Sequence, residues 1–314
     1  MLLDVHVVDV VTGKVAHNQA IVVSDGVIVR IAPMASTGFP DGATVHDLAG
    51  AYVIPGLWDT RVHLDRTGRS SLALFLANGV TGVRDIGSNR AELGAWTDSL
   101  RSGALDGPNV MWADKRAERA VWGVKTIEHR FLSPHDGLRA RRLALRMLAD
   151  TGAGRDPRVA YVDLALQRAW QRAFSAPGVE RAHASRGDIE ATSLHELRSI
   201  ASSNMMLLAG TDAGAPLAFP GFSLADELEA MVKEGGLTPL QSLQTATINV
   251  ARWAKSDSRS GTVAVGRMAD LVLLARNPLE TIGNVRRIRG VMRAGRMFDR
   301  AAIDSMLESA KRQP

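Results

Sequence analysis

Three polar side chains stand at the ends of short apolar runs, where they could hold a metal ion or a substrate. They are His63, His129 and Asp212; the clearest run, residues 205–209, leads through Gly-Thr to Asp212. In a parallel α/β protein the catalytic groups sit where the strands end, so the runs are predicted to be strands sharing one rim. Two imidazoles and a carboxylate suit a divalent transition metal. Together the three residues predict a metal or substrate site.

Asp85 is a fourth candidate for the same rim. It lies near the end of the run 79–87, which is predicted to be the strand next to the one that carries His63. Its carboxylate could orient a ligand or pair with Arg61, and a structural role is favoured over a catalytic one.

The predicted secondary structure that must position these residues differs between the ends and the middle of the chain. Short alternating segments up to about Leu48 predict a small β unit, with a hairpin turn at Asp25-Gly26. From Pro55 strands and helices alternate, as in a parallel sheet with crossover helices, and from Gly261 the β alternation returns. Among the helices, one is predicted over residues 239–253 with Thr238 as its N-cap. We therefore predict a β-sandwich domain built from both chain ends, residues 1–54 and 261–314, around a TIM-like (β/α) barrel domain, residues 55–260.

The barrel is predicted to be shortened or open. Only about six strands can be placed in residues 55–260, among them 109–113 and 158–162, and this segment is near the lower length limit for eight strands. An open edge would expose strand backbone, which favours association into a homo-oligomer.

The amino-acid composition narrows the classes of function that the protein can have. The chain has 314 residues, 46% of them hydrophobic, and no cysteine, so a globular protein is predicted and any metal must use nitrogen and oxygen ligands. The net charge of +5 is spread among acidic residues, which disfavours nucleic-acid binding. The N-terminal residues carry early charges and no long apolar stretch, so we expect no signal peptide, no membrane association and a cytoplasmic location.

Four stretches resemble the amidohydrolase superfamily. Residues 53–64 (VIPGLWDTRVHL) resemble its first-strand signature, 126–129 (TIEH) its sixth-strand histidine motif and 209–214 (AGTDAG) its eighth-strand aspartate motif. Residues 261–274 (GTVAVGRMADLVLL) are similar to the segment in which the superfamily's chain leaves the barrel and re-enters its small β domain. The resemblance covers nearly the whole chain and is nearest to imidazolonepropionase-like and Xaa-Pro dipeptidase-like hydrolases.

The resemblance implies a metal-dependent hydrolase that acts on non-peptide or prolyl carbon–nitrogen bonds of a small-molecule substrate through metal-activated water. His63, His129 and Asp212 would be metal ligands, and Asp212 would also take the proton. Zinc is the favoured ion.

Departures from the family pattern predict an impaired metal site. The first-strand pattern is His-x-His, and here Arg61 stands at its first position; no stretch matches the bridging lysine of the fourth strand or the histidine of the fifth. A guanidinium cannot donate a lone pair and repels a dication. One ion at most, or none, is therefore expected, and we hypothesise that Arg61 replaces the metal's charge by pairing with Asp212 or Asp85. The alternative is an inactive pseudoenzyme or a truncated family member with a binding role.

Overall fold

A computed structural model describes residues 1–36, 38, 41–113, 126–128, 156–174 and 206–311. The strands are β1 Leu2–Val8, β2 Val15–Ser24, β3 Val27–Pro33, β4 His46–Pro55, β5 Leu57–Val62, β6 Val80–Ile86, β7 Asn109–Ala113, β8 Thr126–Glu128, β9 Met206–Leu208, β10 Leu271–Leu274, β11 Ile288–Arg293 and β12 Arg296–Asp299. The α-helices are α1 Leu64–Thr67, α2 Ser71–Ala77, α3 Arg90–Ser102, α4 Leu164–Phe174, α5 Phe222–Lys233, α6 Pro239–Thr245, α7 Ile248–Trp253 and α8 Arg300–Lys311.

Strands from both parts of the chain form one seven-stranded sheet in the order β12-β11-β10-β4-β1-β2-β3. The predicted hairpin joins β2 to β3, with Asp25 and Gly26 at φ +50° and +75°, a conformation that glycine adopts without strain. The edge of β3 also bridges at Val27 to Met268, so the sheet curves back toward the segment before β10. The second layer of the predicted sandwich stays a prediction.

The period of two along these strands divides the apolar side chains between two cores. In β10, Leu271 and Leu273 join a core that belongs to the curved sheet, whereas Val272 and Leu274 join the large core shared with the helices and parallel strands. Successive side chains of a strand point to opposite faces, so β10 is buried on both sides. The sheet thus packs one face against the part of the chain that carries the candidate site.

Parallel strands carry the candidate site residues. β5, β6 and β7 pair in parallel, and β8 pairs in parallel with β9. Backbone hydrogen bonds join the β5 strand to the segment after β9: Thr60 N to Ala209 O at 2.9 Å, and Asp212 N to Arg61 O at 2.8 Å. These bonds bring together two stretches of chain that lie far apart in the sequence.

Two local predictions need correction, and one is confirmed. Residues 158–162 are not a strand, because a 3₁₀ helix spans Pro157–Tyr161 and the Asp156 side chain accepts a hydrogen bond from Arg158 N at its start. The helix predicted over residues 239–253 is divided into α6 and α7. Thr238 does cap α6 as predicted, through a reciprocal capping box with Gln241.

Within the described residues, every helix is too short or too polar to cross a bilayer.

The contact between β5 and β6 depends on a glycine. A Cβ on Gly82 would lie 2.2 Å from Trp58 Cε2, far inside van der Waals contact, so the indole covers the backbone of the neighbouring strand. A glycine inside a strand often marks such a close approach.

We expect Gly82→Ala to lower the free energy of unfolding by about 2 kcal/mol or more, because an added methyl group must displace the Trp58 ring from a packed position. Gly94→Ala is the matched control: its Cβ meets nothing within 4 Å, and alanine in a helix interior stabilises by roughly 0.5–1 kcal/mol. Urea denaturation measures both values. Equal effects of the two substitutions would contradict this account of β6.

Candidate functional site

Asp212 is the centre of the candidate site, because one of its oxygens contacts two basic side chains. Arg61 Nε donates to Asp212 Oδ1 at 2.9 Å, and His63 Nε2 lies 2.7 Å from the same oxygen. The Asp212 side chain is 7% exposed and that of His63 12%, so both are largely removed from water, whereas Arg61 is 29% exposed. The structure thus brings together three of the sequence-predicted site residues.

The backbone at Asp212 makes this convergence possible. Asp212 has φ +58°, in the left-handed region that aspartate tolerates better than most residues. The chain turns here, with Ala215 N donating to Asp212 O at 2.8 Å. At Gly214, which has φ +108°, a Cβ would lie 3.3 Å from His63 Cβ, so the turn closes tightly against the end of β5.

Asp59 anchors the two strands beneath the site. Its Oδ1 accepts from Thr211 N at 2.9 Å and from Arg61 N at 3.3 Å, and its Oδ2 accepts from Thr211 Oγ1 at 2.6 Å. Burial raises the pKa of Asp59 to about 7, the hydrogen bonds from Thr211 and Arg61 oppose this rise, and the charge of Asp212 adds to it. Sequence reasoning did not single out Asp59, although an acidic residue inside a buried strand requires a partner.

Glu227 on α5 is a second buried carboxyl group near Asp59. Burial raises its pKa well above the usual range, and the charge of Asp59 raises it further. Its Oε1 has no hydrogen-bond partner among the described residues. Burial therefore favours the protonated form of Glu227, and this buried carboxyl group was not predicted from the sequence.

Asp85 holds the segment that follows His63. Its Oδ2 accepts from Leu64 N at 2.8 Å and from Ser88 Oγ at 2.7 Å, and its Oδ1 accepts from Ser88 N at 3.2 Å. These bonds fix the start of α1 directly after His63. The contacts agree with the favoured structural role, and any contact with substrate stays a prediction.

The described residues do not fit a metal ion. His129 lies outside them, and no group of three potential ligands occurs among them. Two ligands of a tetrahedral zinc stand about 3.3 Å apart, given metal–ligand distances near 2.0 Å. The 2.7 Å between His63 Nε2 and Asp212 Oδ1 is instead a hydrogen bond, and Arg61 occupies the same oxygen.

Comparisons with known proteins identify a related family. The sequence model of the amidohydrolase family matches residues 185–298, a segment that contains Asp212. Ochratoxinase from Aspergillus niger is 30% identical over 126 residues, which is 37% of this chain and 26% of that protein's own length. The predicted resemblance to the amidohydrolase superfamily is confirmed by these matches.

Solved structures show the same fold. An Xaa-Pro dipeptidase with bound methionine has a TM-score of 0.69 at 17% identity, covering 95% of this chain and 99% of its own. Phenylurea hydrolase B has a TM-score of 0.64 at 22% identity, covering 97% of each chain. The predicted TIM-like α/β fold is confirmed, while a shortened barrel stays a prediction.

The buried Asp59 makes stability depend on pH. An unfolded aspartate loses its proton near pH 4 and the folded Asp59 near pH 7, so the folded protein holds the extra proton between these values. The free energy of unfolding therefore falls as pH rises through this window. We expect Asp59→Asn to reduce this fall, by an amount on the order of a few kcal/mol.

Urea denaturation at about pH 5 and about pH 8 measures the effect, with the exposed Asp65→Asn as a control for one lost carboxylate. The same pH dependence in the wild-type protein and Asp59→Asn would show that Asp59 does not titrate in this window.

Proposed function

We propose that this chain is a member of the amidohydrolase family that hydrolyses carbon–nitrogen bonds of small amides through an impaired, metal-poor centre. The family match at residues 185–298 and the likeness to proteins named Xaa-Pro dipeptidase and phenylurea hydrolase support this substrate class. The observation that carries the proposal is that Arg61 and His63 share Asp212 Oδ1.

In the proposed reaction, Asp212 and His63 act as a hydrogen-bonded pair that takes a proton from the attacking water. The water oxygen bonds to the carbonyl carbon, and the proton then passes to the leaving nitrogen as the carbon–nitrogen bond breaks. Arg61 supplies positive charge beside the oxygen that becomes negative. Asp59 and Asp85 are positioning residues, because they hold Thr211 and Leu64 on either side of the pair.

We also propose that the barrel is shortened. β8 belongs to the stretch that resembles the sixth-strand motif, and β9 directly precedes the stretch that resembles the eighth, yet the two pair directly. In an eight-stranded barrel another strand would lie between them. This pairing supports a barrel with fewer than eight strands.

A catalytically inactive protein that binds a small molecule is the second candidate. It is favoured by the ion pair itself, because the Arg61 guanidinium already neutralises the carboxylate that should accept a proton. A carboxylate stabilised in this way is a weaker base.

Hydrolysis in the presence of a chelator distinguishes the candidates. We expect slow release of amine from lactams, hydantoins or prolyl dipeptides that is unaffected by the chelator and falls by about 100-fold or more in Asp212→Asn, because the proton acceptor is lost. Asp65→Asn is the exposed control. No turnover of any substrate would favour the inactive protein, and loss of activity on chelation would refute the metal-poor centre.

Arg61→His tests whether the guanidinium excludes the metal. We expect zinc content, measured by elemental mass spectrometry after dialysis against zinc, to rise from background toward one equivalent. The new imidazole joins His63 and Asp212 as a third donor, and three protein ligands plus water complete a tetrahedral site. Arg66→His, an exposed arginine on α1, is the matched control. If Arg61→His leaves the zinc content unchanged, the charge-replacement hypothesis should be dropped.

A further inference from the structure

Trp170 on α4 contacts the turn that carries Asp212, although the two residues lie far apart in the sequence. Its indole Nε1 donates to Gly214 O at 3.4 Å, and the residue is 5% exposed. The indole N–H is the one polar group of a tryptophan side chain, and it usually finds a partner when it is buried. Gly214 follows Asp212 by two residues, so this bond joins α4 to the Asp212 turn.

The Gly214 peptide lies between α4 and the end of β5. A Cβ on Gly214 would lie 3.3 Å from both His63 Cβ and His63 O, so its Cα already packs closely against this residue. His63 N also donates to Ala213 O at 2.9 Å. The turn is therefore in contact with His63, while its Gly214 carbonyl oxygen accepts from Trp170. A displaced Gly214 peptide would disturb the approach of Asp212 to His63.

The indole is itself held by an aromatic and ionic cluster. The Trp170 and Phe219 rings meet edge to face with their centroids 5.5 Å apart, and Phe219 is buried. The Arg158 guanidinium lies over the Phe219 ring, 4.4 Å from its centroid, and donates to Asp226 on α5. Edge-to-face and cation–π contacts have preferred geometries, so they restrict where the indole can lie.

We propose that Trp170 is a positioning residue for the hydrogen-bonded pair of His63 and Asp212. It acts through the Gly214 peptide: the indole N–H fixes that carbonyl group, which keeps the Asp212 turn against the end of β5. Tryptophan suits this role because its donor is carried on a large rigid ring that packing can orient. The catalytic consequence rests on the proposed function, whereas the effect on the hydrogen bond between His63 and Asp212 does not.

The test measures this hydrogen bond directly, by proton NMR of the full chain. An imidazole proton bonded to a carboxylate gives a downfield resonance, and the signal that His63→Gln abolishes belongs to the pair. Trp170→Phe keeps an aromatic ring but removes the N–H donor. We expect it to speed exchange of this proton with water by roughly fivefold, the factor that corresponds to one neutral hydrogen bond. For an amide that the protein hydrolyses, kcat should fall by about tenfold while KM stays within about twofold, because a reacting group is misplaced.

Gln167→Ala is the matched control in the same segment. Gln167 Nε2 donates to Val162 O at 2.7 Å and to Val159 O at 3.2 Å, so its removal weakens the start of α4 without removing the contact to Gly214. It should leave both proton exchange and kcat unchanged. An equal rise in exchange in Gln167→Ala would show a general loosening of the segment and overturn the proposal.

Phe219→Leu keeps the test decisive if Trp170→Phe does not fold, because it leaves the indole donor in place and removes the ring that orients it. Exchange should again become faster. Unchanged exchange in either folded variant would overturn the proposal, as would a wild type in which His63→Gln removes no downfield signal. Faster exchange in Trp170→Phe, in a protein that shows no turnover, would support the positioning role and contradict the proposed hydrolysis alone.

Discussion

The candidate site depends on the clamp between Asp59 and Thr211. The carboxylate of Asp59 receives both the amide and the hydroxyl of Thr211, and also the amide of Arg61, so one buried side chain fixes the ends of two strands. Asp212 follows Thr211 directly, and His63 follows Arg61 by two residues. A shift of either strand would therefore disturb the clamp as well as the contact between His63 and Asp212. Preorganisation of this kind is what a catalytic pair requires of its surroundings.

The clamp places a carboxyl group with a raised pKa beneath a carboxylate that contacts two basic side chains. Asp212 pairs with Arg61 and His63, whereas burial holds Asp59 and Glu227 toward the neutral form. Carboxyl groups in very different electrostatic surroundings therefore lie within one small region. Arg61 is central to this arrangement, since its guanidinium contacts the same Asp212 oxygen as His63.

Local motifs in the sequence predicted the convergence of His63 and Asp212, because both follow apolar runs whose ends meet on one rim of a parallel sheet. The pairing of Arg61 with Asp212 was one of two partners that the hypothesis allowed, and the structure contains it. Asp59 was missed because its partners come from a strand distant in the sequence. The run 158–162 was wrongly predicted to be a strand, since a proline and an aspartate cap outweigh its apolar pattern. Where the pattern alone decided, as in β7 and the Thr238 cap, the prediction was confirmed.

The position of β10 in the sheet has a consequence for biosynthesis. β10 lies between β4 and β11, so the strands β1–β4 cannot be covered on that edge until residues 271–274 have been translated. A nascent chain would carry the unpaired edge of β4 while residues 56–270 are synthesised. Unpaired strand edges are prone to wrong pairing. Contacts over this sequence distance also slow folding, because a long loop must close before they form. Because this interior strand emerges late, a chaperone that covers the open edge of β4 should help the sheet to assemble correctly.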